Sequence, residues 1–160
     1  MKWNRRRTVA AVGGGLIVAL LLAGDPFAPG SGGAKLRPDD TDVAASGQRL
    51  YANHCANCHG ARLEGQPNWR ERDAAGRLPA PPHDASGHTW HHADDQLFRI
   101  TKFGVARATK LKDYTSSMPA YEGVLSDAEI VAVLSWIKTQ WPADIRAKHD
   151  EMNRSAAKRR

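Results

Sequence analysis

The chain has 160 residues, enough for one ordinary domain with room for a targeting segment or tail. At 41% hydrophobic and 25% charged it is neither wholly disordered nor a polytopic membrane protein, and two cysteines exclude a disulfide-stapled scaffold or a four-thiolate zinc site. The net charge of +6 belongs to the ends: residues 1–24 carry +4, 25–41 carry −1 and 143–160 carry +3, while 42–142 balance eleven bases against eleven acids. A neutral middle argues against nucleic acid as a partner.

Residues 8–24 are uncharged and follow the basic cluster Arg5-Arg6-Arg7. As a helix they reach roughly 25 Å, between a signal-peptide core and a full membrane span. The expectation is an uncleaved N-terminal anchor, with a cleaved signal as the alternative, since Leu22-Ala23-Gly24-Asp25-Pro26 lacks a clean Ala-x-Ala site. Either way the basic cluster stays in the cytoplasm and the chain after Asp25 is exported. Residues 25–41 are rich in Pro, Gly and Ser and read as a flexible linker.

Residues 43–54 are expected to form a helix, with Asp42 as N-cap, leading into Cys55-Ala56-Asn57-Cys58-His59. Both cysteines of the chain are spent in this run. Two thiols three residues apart on one helical turn can add to the two vinyl groups of a haem, and the next histidine is then held under the iron. A bare Cys-x-x-Cys would also suit a thioredoxin-like pair, but that motif belongs to a βαβ pattern and needs no histidine. One covalently bound haem c is therefore the expected cofactor, on Cys55 and Cys58, with His59 as an axial iron ligand.

The tract His83-Asp-Ala-Ser-Gly-His88-Thr-Trp90-His91-His92 admits three readings. Its imidazoles form a second metal site for copper or zinc, or Trp90 or a histidine bonds a haem propionate, or the tract is a polar loop capping the next helix. That helix is read over residues 93–103, with acids in its first turn, Lys102 in its last, a Leu97, Ile100, Phe103 stripe, and Gly104 to close it. Arg99, Lys102, Arg107, Lys110 and Lys112, opposed locally only by Asp113, are expected to form a positive field for docking an acidic partner.

Met118 stands in the non-helical loop Tyr114-Thr-Ser-Ser-Met-Pro-Ala-Tyr121, 59 residues after His59. Met1 opens the sequence and Met152 lies in the charged C-terminal stretch, so Met118 is the candidate second axial ligand, its backbone held extended by Pro119. A last helix is expected over residues 127–140, opened by a capping box from Ser126 to Glu129, striped by Ile130, Val133, Leu134 and Ile137, and stopped by Pro142. Residues 143–160 read as a charged tail, and His54 and His149 receive no role.

From about Asp42 to Pro142 the sequence resembles the class I c-type cytochromes. The resemblance is carried by Gly47…Tyr51, Cys55-Ala-Asn-Cys-His59, Ser116-Ser-Met-Pro-Ala120, Leu125-Ser-Asp-Ala-Glu129 and Trp141-Pro142. It implies an all-α cytochrome c fold of short helices around one haem, with the first and last helices crossing where Gly47 meets Trp136. It also implies a Pro-rich turn whose carbonyl orients the axial imidazole, for which Pro81 and Pro82 of Leu78-Pro-Ala-Pro-Pro-His83 are both candidates.

The expected function is a bacterial single-electron carrier on the periplasmic side of the inner membrane, exchanging electrons with protein partners and transforming no small-molecule substrate. Two alternatives differ in class. One is a haem protein that also handles copper through His83–His92, and the other is a haem sensor or enzyme whose Met ligand is displaceable.

Overall fold

A computed structural model describes residues 33–159. The expected anchor over residues 8–24 lies outside them, and among the described residues no helix is long and apolar enough to cross a membrane. Those residues form six α-helices and no strand: α1 (Thr41–His54), α2 (Ala56–His59), α3 (Asp94–Phe103), α4 (Val105–Thr109), α5 (Asp127–Thr139) and α6 (Ala143–Ala157), with a single 3₁₀ turn at Thr89–His91. The all-α architecture agrees with the sequence reading.

Helix α1 begins two residues earlier than expected. Its N-cap is Asp40, whose carboxylate accepts from the Val43 N–H at 3.1 Å, so Asp42 falls inside the first turn. Both residues have the right chemistry, and the chain takes the one that also pairs with Arg37. Helix α5 carries the expected capping box: Ser126 N–H donates to the Glu129 carboxylate at 2.8 Å and Glu129 N–H donates to the Ser126 hydroxyl at 3.3 Å. At the end of α3, Gly104 takes φ +80°, a value L-residues rarely adopt, and its N–H closes the helix on Ile100 O.

The main packing is α1 against α5. Helix α5 is buried nearly all round, since Val131, Ala132, Ser135 and Lys138 are buried alongside the Ile130, Val133, Leu134, Ile137 stripe. Tyr51 sits at the crossing with its ring 4.7 Å from that of Trp136. Helix α3 turns a different face inward than its stripe suggested: Leu97, Phe98 and Thr101 are buried, whereas Ile100 and Phe103 are half-buried. Ile100 lines a cavity together with the buried Leu97 and Thr101.

Two segments expected to be unstructured are part of the packed body. Residues 143–157 form α6, which buries Ile145 and His149 against Trp141, with the His149 ring edge-on at 5.0 Å. Residues read as linker include the buried Leu36, whose N–H donates to the Asp94 carboxylate at 2.9 Å, while Arg37 N–H donates to the Ser135 hydroxyl. Asn153 completes the join, accepting from Asp94 N–H and donating to the Asp94 carboxylate. Charge-rich composition concealed an amphipathic helix with only two buried positions.

Candidate haem site

A cavity of about 520 Å³ opens between the end of α1, α2, α3, α5 and the loops before α3 and α5. Cys55, Cys58, His59 and Met118 all line it, although Met118 is far from the others in sequence. Leu97, Ile100, Val133, Leu134 and Ile137 give it apolar walls. The two cysteines are free thiols, Cys58 exposed and Cys55 half-buried. Burial, and to a lesser degree neighbouring Cys58, pushes the Cys55 thiol up to about 11. Neither sulfur is committed to a disulfide, so both are available for thioether bonds.

His59 ends α2 and is buried. Its Nδ1–H donates to the Pro81 carbonyl oxygen at 2.8 Å, which leaves Nε2 as the lone-pair nitrogen. Burial lowers the His59 pKa, against an opposing contribution from that bond, so the neutral form needed for metal ligation is favoured. Pro82 does not share the role: it is buried away from the cavity, with its carbonyl against Gly87.

The Met118 loop is braced internally and tied at its far end. Met118 N–H donates to the Ser116 hydroxyl at 3.0 Å. Tyr121, just beyond, donates through its backbone N–H to Thr101 O and through its hydroxyl to His54 O. Tyr51 makes the matching contact on the other side, donating to Gly60 O at 2.8 Å from a phenol that burial holds above its ordinary pKa. Two tyrosine hydroxyls thereby fix the two chain segments flanking the cysteine–histidine run.

The histidine tract does not assemble into a metal-binding group among the described residues. His83 stacks on His59, His88 stacks on Trp69 and meets His92 edge-on, and His91 stacks on Trp90. Among the described residues no group of three or more His, Cys, Asp or Glu is arranged to hold a metal ion. Trp90 lies outside the cavity lining, and its indole N–H points to Ala85 O at 3.3 Å. Trp69, His83, His88 and His92 line the cavity instead. Burial is the leading cause that lowers the pKa of His83, His88 and His92.

The basic cluster is also weaker than its sequence density suggests. Lys102 pairs with Asp127 at 2.6 Å and Arg107 with Glu122 at 2.6 Å, acids supplied from later in the chain. Little in the sequence marks Thr89, Tyr121 or Trp141 as site residues. Tyr121 and Trp141 act through one side-chain polar atom on His54 O and His83 O, partners far along the chain, a relation without a local pattern, whereas Thr89 meets the ring of nearby His83.

An apolar cavity with paired thiols on one edge, a neutral imidazole and a thioether defines a protein built to hold haem c covalently. The family model for cytochrome c matches residues 44–141, more than half of the chain, and the chain belongs to that family. Helix α6 lies beyond the matched stretch. No curated protein and no solved structure matches the chain. Covalently bound haem c is the cofactor of this family, and haem-based electron transfer its function.

Proposed function

We propose that the protein is a class I, single-haem electron carrier whose iron is held by His59 and Met118. The observation that carries this reading is the convergence of Cys55, Cys58, His59 and Met118 on one apolar cavity. Cys55 and Cys58 would hold the haem, and the Pro81 carbonyl fixes the tautomer of His59 so that Nε2 carries the lone pair a metal needs. Met118 would supply the second ligand from a loop anchored by Tyr121. Haem c, when bound, supplies a one-electron ferric/ferrous couple. The apolar side chains that α3 and α5 turn to the cavity would limit the access of water to the group.

The carrier works on the periplasmic side of a bacterial inner membrane. It is held there by residues 8–24, and it exchanges electrons with protein partners rather than transforming a substrate. The unbroken apolar run after Arg5-Arg6-Arg7 supports the anchor. The partner-facing charge rests on Arg99, Lys110 and Lys112, since Lys102 and Arg107 are engaged in ion pairs.

Purified protein and its Met118→Ala variant test the reading together. The wild type is expected to have an intact mass increased by one haem, a low-spin spectrum with the weak far-red Met–ferric band, and no ready binding of carbon monoxide to the ferrous form. The variant keeps its haem, loses that band, falls in potential and binds carbon monoxide. A high-spin wild type that binds carbon monoxide would instead mark a sensor or enzyme. The same mass measurement reads the N-terminus, and a mature chain beginning between Gly24 and Ala34 would replace the anchor with a cleaved signal.

A further inference from the structure

His83 occupies an unusual place for a polar residue. Its ring lies flat on that of His59, with centroids 3.9 Å apart and planes 20° from parallel. Its Nδ1 is 2.7 Å from the hydroxyl of buried Thr89. Its backbone is pinned on both sides: the N–H donates to Leu63 O at 2.8 Å, and the carbonyl accepts from the Trp141 indole at 2.7 Å. Leu63 is itself buried and held at φ +69°, a conformation that persists only where surroundings impose it. The Tyr51 ring meets His83 edge-on at 6.4 Å.

Filling space beside His59 requires none of these polar partners, because an aliphatic side chain would do it without needing a hydroxyl. A flat ring held by its own hydrogen bond does something an aliphatic group cannot. The bond from His59 to Pro81 fixes the tautomer but acts at a single atom, so the ring can still rock about that direction. A second ring stacked at 3.9 Å restricts that rotation. We infer that His83, set by Thr89 and by the Leu63 and Trp141 contacts to its backbone, is a positioning residue that fixes the plane of the His59 imidazole. The inference rests on the reading of His59 as an axial ligand. Partners of ligating histidines commonly act in this way, orienting the ring rather than touching the metal.

The plane of an axial imidazole sets the order and spread of the paramagnetically shifted haem ring-methyl resonances in the ferric protein, and it contributes to the g-anisotropy of its electron paramagnetic resonance. These signatures separate orientation from packing. In the haem-loaded protein, His83→Leu is expected to reorder the methyl resonances and shift the g-values, because it fills volume without a flat face. His83→Phe keeps the face and is expected to restore the wild-type order. Thr89→Val, which removes only a hydroxyl, is expected to shift the resonances in the same direction as Leu but by less.

A wild-type pattern in His83→Leu would overturn the inference, and so would the same altered pattern in Leu and Phe. Should either His83 variant fail to load haem, Thr89→Val decides: an unchanged pattern there overturns the role. Failure of the axial reading looks different, since resonances of a coordinated imidazole would then be missing from the wild type itself.

Discussion

Gly47 of α1 lies so close to Ala132 of α5 that a Cβ built on it would stand 2.0 Å from the Ala132 carbonyl oxygen and 2.9 Å from Trp136 Cβ. The two helices meet backbone to backbone at this point, and the distance between them positions Tyr51, Trp136 and the α5 residues that wall the cavity. Two effects oppose each other in Gly47→Ala. Helix propensity favours alanine by about 1 kcal/mol, whereas a methyl group driven into a backbone oxygen must push the helices apart. The clash prevails, because backbone cannot rotate away as a side-chain tip can. The variant is expected to lose about 1–3 kcal/mol of stability in denaturant unfolding of the haem-loaded protein. A more stable variant would show that the crossing is looser than the geometry states.

Tyr121 ties the Met118 loop to the end of α1 through its hydroxyl on His54 O. Tyr121→Phe keeps the ring and removes the bond, leaving the His54 carbonyl one donor short. The expected loss is about 1 kcal/mol. Its location is more telling than its size: on heating, the far-red Met–iron band should fade several degrees earlier than in the wild type, while haem attachment and helix content persist. Simultaneous loss of all three signals would mean that the hydroxyl supports the whole fold and not the loop.

His149 makes stability depend on pH. It is fully buried, its Nε2–H donates to His92 O at 3.0 Å, and its Nδ1 faces the Asn153 amide at 3.4 Å. Burial is the leading cause that lowers its pKa, Lys138 adds to it, and Asp94 and Asp150 oppose it. The folded pKa therefore lies below the unfolded value of about 6.5. As pH falls through that value the unfolded chain takes up the proton first, so stability is complete above about pH 6.5 and declines below it. One such group contributes a slope of at most about 1.4 kcal/mol per pH unit. His149→Gln retains an N–H donor for His92 O but does not titrate. It is expected to be less stable at neutral pH and to close the gap to the wild type on acidification, as read by unfolding free energies at a series of pH values. Parallel pH profiles would exclude His149 as a contributor.

Helix α6 and the segment around Leu36 close on the same carboxylate, Asp94, from opposite ends of the described chain. A chain ending at Pro142 loses the cover over Trp141, the burial of Ile145 and the Asn153–Asp94 bonds. Its unfolding free energy is expected to drop by on the order of 3 kcal/mol, with haem attachment retained because the cysteines and His59 lie elsewhere. An unchanged denaturation midpoint would make α6 an appendage.

Local chemistry was legible in the sequence because it is written in adjacent residues. The Cys55–His59 run needs only the pitch of one helical turn, the Ser126–Glu129 box only the start of a helix, and Gly104 only a residue free to take positive φ. Met118, chosen by elimination among three methionines, does line the cavity. What the sequence left open required partners distant along the chain. Pro81 and Pro82 are equivalent as neighbours, and only the fold turns the Pro81 carbonyl toward His59 while burying Pro82 against Gly87. Lys102 and Arg107 read as open charge until Asp127 and Glu122 are brought beside them. The four histidines of the 83–92 tract look like a cluster, yet His83 stacks on His59, His88 on Trp69 and His91 on Trp90, and only His88 and His92 meet each other. Spacing along a helix or turn is set by backbone geometry, which sequence encodes directly. Which ring faces which, and which charge finds its partner, is set by how separate elements pack, and that the tertiary structure alone decided.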